Sequence, residues 1–173
     1  SSAFDSFFNR ITFIGDGWSF GMLLVVMLFF SYRFFLSGML IFGLSSLFSF
    51  ILKQIYDAPR PLKYFSEQQI DLHLPADTII NMELSFPSGH TTTAFAMFTF
   101  LACITNHKII SIMLFILAFL AGYSRVYLCQ HFPEDVLAGS MLGFITALTI
   151  YYFMQKIPAD KLQGKLSLKQ NGN

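Results

Sequence analysis

Long apolar runs alternate with short polar interruptions along this chain, and the run lengths suit a lipid bilayer. Residues 18–32, 34–52, 91–104, 109–128 and 136–154 are predominantly apolar, with Arg125 as their one charged side chain. A membrane-crossing helix needs about 20 such residues, fewer when flanking side chains reach the interface. The pattern therefore predicts five transmembrane helices, the first and third of them short. Ahead of them Phe4, Phe7, Phe8, Ile11 and Ile14 recur at helical spacing. That spacing predicts a short amphipathic helix lying in the interface and ending at Gly15-Asp16-Gly17. The expected fold class is an all-α integral membrane helical bundle.

The polar gaps set the connectivity. Tyr32-Arg33 joins the first two stretches tightly, and Asn106-His107-Lys108 does the same for the third and fourth. A long polar segment, residues 53–90, separates the second and third; residues 129–135 separate the fourth and fifth. If every stretch crosses, these two longer connections share one membrane face. The tight-turn face and the C-terminal tail carry Arg33, Lys108, Lys156, Lys161, Lys165 and Lys169, whereas the long-loop face holds nine of the ten acidic residues. Excess Lys and Arg marks the cytoplasmic side, so the long loop is expected to face away from the cytoplasm.

Composition agrees with a membrane protein and excludes an ordinary soluble domain. Charged residues make up 12% of the chain, against about 25% in soluble domains. The 22 phenylalanines suit a lipid-facing surface. A net charge of +1 without a basic run gives no reason to expect nucleic acid as a partner. Cys103 and Cys129 read as lying inside apolar stretches, too few and too buried for a disulfide framework or a metal site. With no linker or repeat in the middle, residues 1–155 are expected to form a single membrane domain, followed by a polar cytoplasmic tail, residues 156–173.

Polar groups at membrane depth are functional candidates, because hydrocarbon penalises them. Three clusters fall on the long-loop face: Lys53-x6-Arg60-Pro61, Pro87-Ser88-Gly89-His90, and Ser124-Arg125-x5-His131-x3-Asp135. Lys53, Arg60 and Arg125 supply cations suited to phosphate oxygens. Ser88-Gly89 stands where a helix begins, so free N–H groups and the positive helix end favour an anion there. His131 lies four residues before Asp135, and Pro133-Glu134-Asp135 reads as the first turn of a helix. A carboxylate so placed can hold one imidazole nitrogen as N–H and aim the other at phosphorus. His90, on a different helix, is suited to protonating the departing oxygen.

These residues resemble, letter for letter, the tripartite signature of the type 2 phosphatidic acid phosphatase (PAP2) superfamily, in its membrane lipid phosphatase branch. The resemblance spans Lys53 to Asp135 and the helices around it. It implies that His131 forms a phosphohistidine, that Asp135 orients it, and that His90 acts as general acid. Lys53, Arg60, Ser88, Gly89 and Arg125 would bind phosphate, with no metal or organic cofactor. Six core helices are usual in that branch, so the resemblance also implies a sixth helix before Ser1.

The function expected is hydrolysis of a lipid phosphate on the periplasmic or outer face of a bacterial inner membrane. Candidate substrates are undecaprenyl diphosphate, phosphatidate, phosphatidylglycerol phosphate and lipid A phosphates, with small size favouring a lipid carrier such as the first. Two other readings share the constellation. One is a catalytically inactive lipid-binding or transport protein; the other is a vanadate-dependent haloperoxidase, although those enzymes are soluble and much larger. His73, His107, Asp57, Glu67, Asp71, Asp77 and Glu83 read as loop or interfacial groups, and Trp18, Tyr151 and Tyr152 as interface anchors. Tyr64 and Phe65 follow the first cluster closely enough to touch a substrate.

Overall fold

Each predicted apolar stretch forms a helix in the computed structural model of the chain, which describes residues 2–72, 74, 75, 81–105 and 107–158. In chain order the helices are α1 (Ser2–Ile11), α2 (Gly17–Phe30), α3 (Tyr32–Tyr56), α4 (Pro61–Glu67), α5 (Gly89–Ile104), α6 (Lys108–Tyr127) and α7 (Pro133–Gln155). A 3-10 turn, Thr12–Gly15, links α1 to α2. Among the described residues there is no strand. His73, Asp77, Asn106 and the tail beyond residue 158, with Lys161, Lys165 and Lys169, lie outside the described residues.

The joint between α2 and α3 is tighter than the sequence suggests. Ser31 alone is extended, with its N–H closing onto the Met27 carbonyl, and Tyr32 already begins the next helix. Phe20 then packs edge-on against Phe42, and Leu24 reaches Gly38. These pairs are spaced evenly about Ser31, as in an antiparallel hairpin. At its far end α3 stops at Asp57, whose positive φ of 39° turns the chain. Pro61 then starts α4, a position that needs no N–H. Part of the predicted long loop is thus helical.

α5 occupies the centre and packs against α7, α6 and α3. Its buried residues include Ala94, Ala96, Met97, Phe98 and Phe100. Small residues let the backbones close in where lipid offers no hydrophobic drive between helices. Gly139 of α7 faces the Ser88 carbonyl, and Gly143 faces the Thr92 carbonyl one turn further. Outward, Val25, Phe48, Ile112, Phe115, Leu137 and Phe144 are exposed on different helices. A belt of this kind suits hydrocarbon rather than water.

The span count comes out differently from the helix count. The segment opening at Tyr32, together with α6 and α7, is long and apolar enough to cross a bilayer unaided. The α1 and α2 segments reach that length and apolarity only together, bent by 49° at Asp16. α5 is apolar but has 16 residues, and its entry is buried among Ser85, Pro87 and Ser88. The chain is an integral membrane protein with three such spans among the described residues, or four if the bent pair is one.

α1 stands at the amphipathic position, where it docks on protein. Phe8 is buried against Tyr123 and Tyr127 of α6 at 5.4 and 4.3 Å between ring centres, and the Tyr127 hydroxyl donates to Asp5 at 2.7 Å. Phe4 and Phe7 remain exposed. At the other end of the bundle Arg33 donates to the Ile157 carbonyl, so the α2–α3 joint and the end of α7 lie together.

Candidate active site

The three polar clusters meet at one end of the bundle because each sits where a helix starts or stops. Lys53 lies in the last turn of α3, Arg60 caps the start of α4, and Ser88 caps α5. Arg125 lies in the last turn of α6, and Asp135 in the first turn of α7. Between α6 and α7 the chain reverses through Cys129, at φ 52°. The Arg125 carbonyl accepts from Gln130 N at 2.9 Å and His131 N at 3.2 Å, which folds the histidine back over the helix end.

The Ser88 N–H donates to the Asp135 carbonyl at 3.0 Å, so the start of α5 and the first turn of α7 are joined through backbone. Ser88 Oγ in turn accepts from Thr91 N at 3.4 Å and Thr91 Oγ1 at 2.8 Å. Lys53 Cε lies 3.9 Å from where a Gly89 side chain would begin, which puts this lysine over the same helix start. His90 follows at once, and the 3-10 turn presses Gly15 against its backbone carbonyl.

His131 is 3% exposed, and its surroundings distinguish its two nitrogens. Nδ1 lies 3.3 Å from Ser85 Oγ and 3.5 Å from Asp135 Oδ2. Ser85 Oγ donates to that carboxylate oxygen at 2.5 Å, and Phe132 N donates to it at 2.9 Å. The carboxylate therefore keeps Nδ1 protonated partly through Ser85, and the lone pair is left on Nε2.

Three cations are pinned nearby by neutral oxygens. Lys53 donates to the Leu84 and Ser85 carbonyls. Arg60 Nε donates to the Glu83 carbonyl at 2.9 Å, and its Nη1 to Gln130 Oε1 at 3.2 Å. Arg125 Nη1 donates to Thr12 Oγ1 at 2.6 Å, and its Nη2 reaches the same Gln130 oxygen at 3.5 Å. Arg125 Nε is buried with no acceptor among the described residues. All eight predicted residues thus lie in this one region. Thr12, Ser85 and Gln130 join it without having been singled out from sequence. Ser85 and Gln130 adjoin the clusters, a weak signal; Thr12 carried none. Tyr64 and Phe65 pack on Phe132, beside the site. No group of three His, Cys, Asp or Glu side chains among the described residues is placed to hold a metal ion.

Burial lowers the His131 imidazole to about 3, against the pull of Asp135 and with help from the charges of Arg60, Arg125 and Lys53. In the unfolded chain it takes up a proton below about pH 6.5. Its contribution to stability is therefore complete above that pH and is lost as pH falls toward about 3. His131→Asn removes this linkage. Thermal melts in detergent should show a smaller drop in Tm between neutral and mildly acidic pH for the variant than for wild type. Equal drops would rule out a buried neutral imidazole.

Residues 34–159 match the family model described as PAP2 superfamily. The chain is similar to phosphatidylglycerophosphatase B of Bacillus subtilis, 32% identical over 128 residues, covering 69% of this chain and 57% of the relative. It is also similar to lipid A 4'-phosphatase of Bacteroides thetaiotaomicron, 34% identical over 74 residues, covering 43% of this chain and 33% of the relative. The chain thus spans between a third and three fifths of the length of these two curated relatives. Among solved structures, LpxE of Aquifex aeolicus superposes with a TM-score of 0.76 at 29% identity, covering 87% of this chain and 86% of that one.

Proposed function

The chain belongs to the PAP2 superfamily, and we propose that it is a membrane phosphatase that takes phosphate off a lipid through a covalent intermediate on His131. The observation that carries this reading is the imidazole itself. Nδ1 is turned to Ser85 and Asp135 while three cations gather around the same site.

The chemistry follows from those positions. Nε2 of His131 attacks phosphorus, the bond from phosphorus to the lipid oxygen breaks, and His90 gives the leaving oxygen its proton. Water then attacks the phosphohistidine with His90 accepting its proton. The P–N bond breaks, and inorganic phosphate leaves with His131 neutral again. Lys53, Arg60 and Arg125 stabilise the equatorial oxygens. Ser88 contributes its O–H, since its lone pairs are engaged by Thr91, and Gly89 its N–H. The buried Nε–H of Arg125 is a further donor matched to an anion. Substrates compatible with this chemistry are phosphatidate, phosphatidylglycerol phosphate, lipid A phosphates and undecaprenyl diphosphate. The test is phosphate release from such a lipid panel in detergent with EDTA present. Strict dependence on Mg²⁺, or release from none of the lipids, would overturn the mechanism.

In this reading the five apolar helices all cross, in a bacterial inner membrane, and the site end faces the periplasm or exterior. Clustering of Arg33 with the end of α7, just before Lys156, supports that orientation, because positive charge collects on the cytoplasmic side. Glu67→Cys, on an exposed residue at the end of α4, should be labelled by an impermeant thiol reagent added to intact cells, above the level of the parent protein. Labelling only after lysis would reverse the orientation.

A further inference from the structure

A hollow of about 290 Å³ adjoins the site between the head of α2, α3 and α5, lined in part by Asp16, Ser46, Ser49, Lys53, Gly89 and His90. His131, Arg60, Arg125 and Asp135 do not line it. The leaving oxygen of a phosphoryl transfer departs roughly in line with, and opposite to, the attacking atom. If His131 attacks and His90 supplies the proton, the space reached past His90 on the side without His131 receives the leaving group.

The walls of this space select among leaving groups. Ser49 is 5% exposed, and its hydroxyl has no hydrogen-bond partner among the described residues. Its Oγ lies 3.9 Å from the point where a Gly89 side chain would begin, so it is turned toward the head of α5. A buried hydroxyl left unpaired is costly, and a polar group on a ligand would relieve that. Ser46 and Ser49 share a face of α3 with Lys53, three and four residues apart. Asp16, at the head of α2, also lines the hollow, and its side chain makes no capping bond there. A carboxylate accepts hydrogen bonds from hydroxyls and repels an anion. Lys53, the cation on the wall, donates to the Leu84 and Ser85 carbonyls, and in the phosphatase reading its charge is turned to the transferred phosphate.

We propose that this hollow is the leaving-group subsite and takes an uncharged, hydroxyl-bearing head group, a sugar or a glycerol, in preference to the second phosphate of a diphosphate. The inference rests on the phosphatase reading above and departs from the lipid carrier that chain size favours. Ser49 and Ser46 would meet hydroxyls of the departing head group, and Asp16 would accept from another while excluding negative charge.

The test compares kcat/KM for three detergent-solubilised lipids: a lipid A phosphate, phosphatidylglycerol phosphate and a polyprenyl diphosphate. Wild-type protein should favour one of the first two over the diphosphate by about tenfold or more, and whichever is faster separates sugar from glycerol. Asp16→Asn should move the ratio toward the diphosphate by about tenfold. Ser49→Ala should lower the polyol lipid relative to the diphosphate by about three- to tenfold. Ratios within one variant do not depend on how much of it folds. A wild type that prefers the diphosphate, or ratios untouched by both substitutions, would overturn the subsite. Failure on all three lipids would instead overturn the phosphatase reading, and this one with it.

Discussion

His131→Ala is expected to lower lipid phosphate hydrolysis by about 10⁴-fold or more, the scale seen when a covalent nucleophile is removed. Asp135 is held in its supporting position, with Oδ2 accepting from Ser85 Oγ and Phe132 N. Any residual rate would come from water attacking a phosphate still held by the cations. The loss should fall on kcat, with KM little changed, since Lys53, Arg60 and Arg125 are untouched. The fold should survive, because the Ser88–Asp135 backbone bond does not involve the imidazole. Quench experiments with labelled substrate should give an acid-labile phosphoprotein from wild type and none from the variant. Activity within tenfold of wild type, or undiminished labelling, would remove His131 from the mechanism.

Gly139→Ala should damage both stability and activity, although it adds one methyl group. The new Cβ would lie 2.5 Å from the Ser88 carbonyl oxygen and 3.1 Å from Thr92 Oγ1. The Ser88 carbonyl cannot retreat cheaply, because it accepts from both Thr92 N and Thr92 Oγ1 at 2.9 Å. Overpacking of this kind costs about 1–3 kcal/mol. The start of α5 must also shift, and a displacement of about 1 Å at a catalytic site can cost about 10²-fold in rate. Specific activity per folded molecule should therefore fall along with Tm. Gly143→Ala, which meets the Thr92 carbonyl and Ala96 N, should be worse for folding. Gly21→Ala meets nothing within 4 Å and should be neutral or stabilising by up to about 1 kcal/mol. Equal behaviour of the Gly21 and Gly139 variants would refute the close α5–α7 approach.

What could be read from sequence follows a physical division. Hydrophobic runs are a local property, so the five apolar helices and the gathering of Lys53, Arg60, His90, Arg125, His131 and Asp135 at one end were legible. Contacts between distant segments were not. Nothing about Thr12 in the sequence says that Arg125 will donate to it, and Phe8 carries no sign that it packs on Tyr127. Ser85 shows the same limit at closer range. It stands two residues before Pro87, yet its link to Asp135 exists only because the chain ahead of α5 lies over the first turn of α7. α4 was hidden for another reason. At seven residues it is too short for periodicity to separate it from the surrounding polar loop.

The glycine seam between α5 and α7 bears on how such a protein diversifies. Through Gly139, Gly143 and the Ser88–Asp135 bond, the start of α5 and the support of His131 form one block that tolerates little change. The hollow is walled on its other sides by the head of α2 and by α3, where Asp16, Ser46 and Phe50 are at least partly exposed. Mutational drift can therefore accumulate on one side of the proposed leaving-group subsite while the other stays fixed. A combinatorial library restricted to residues 16, 46, 49 and 50 should yield many folded proteins with altered lipid preference, whereas one restricted to residues 88, 92, 139 and 143 should yield almost none that fold.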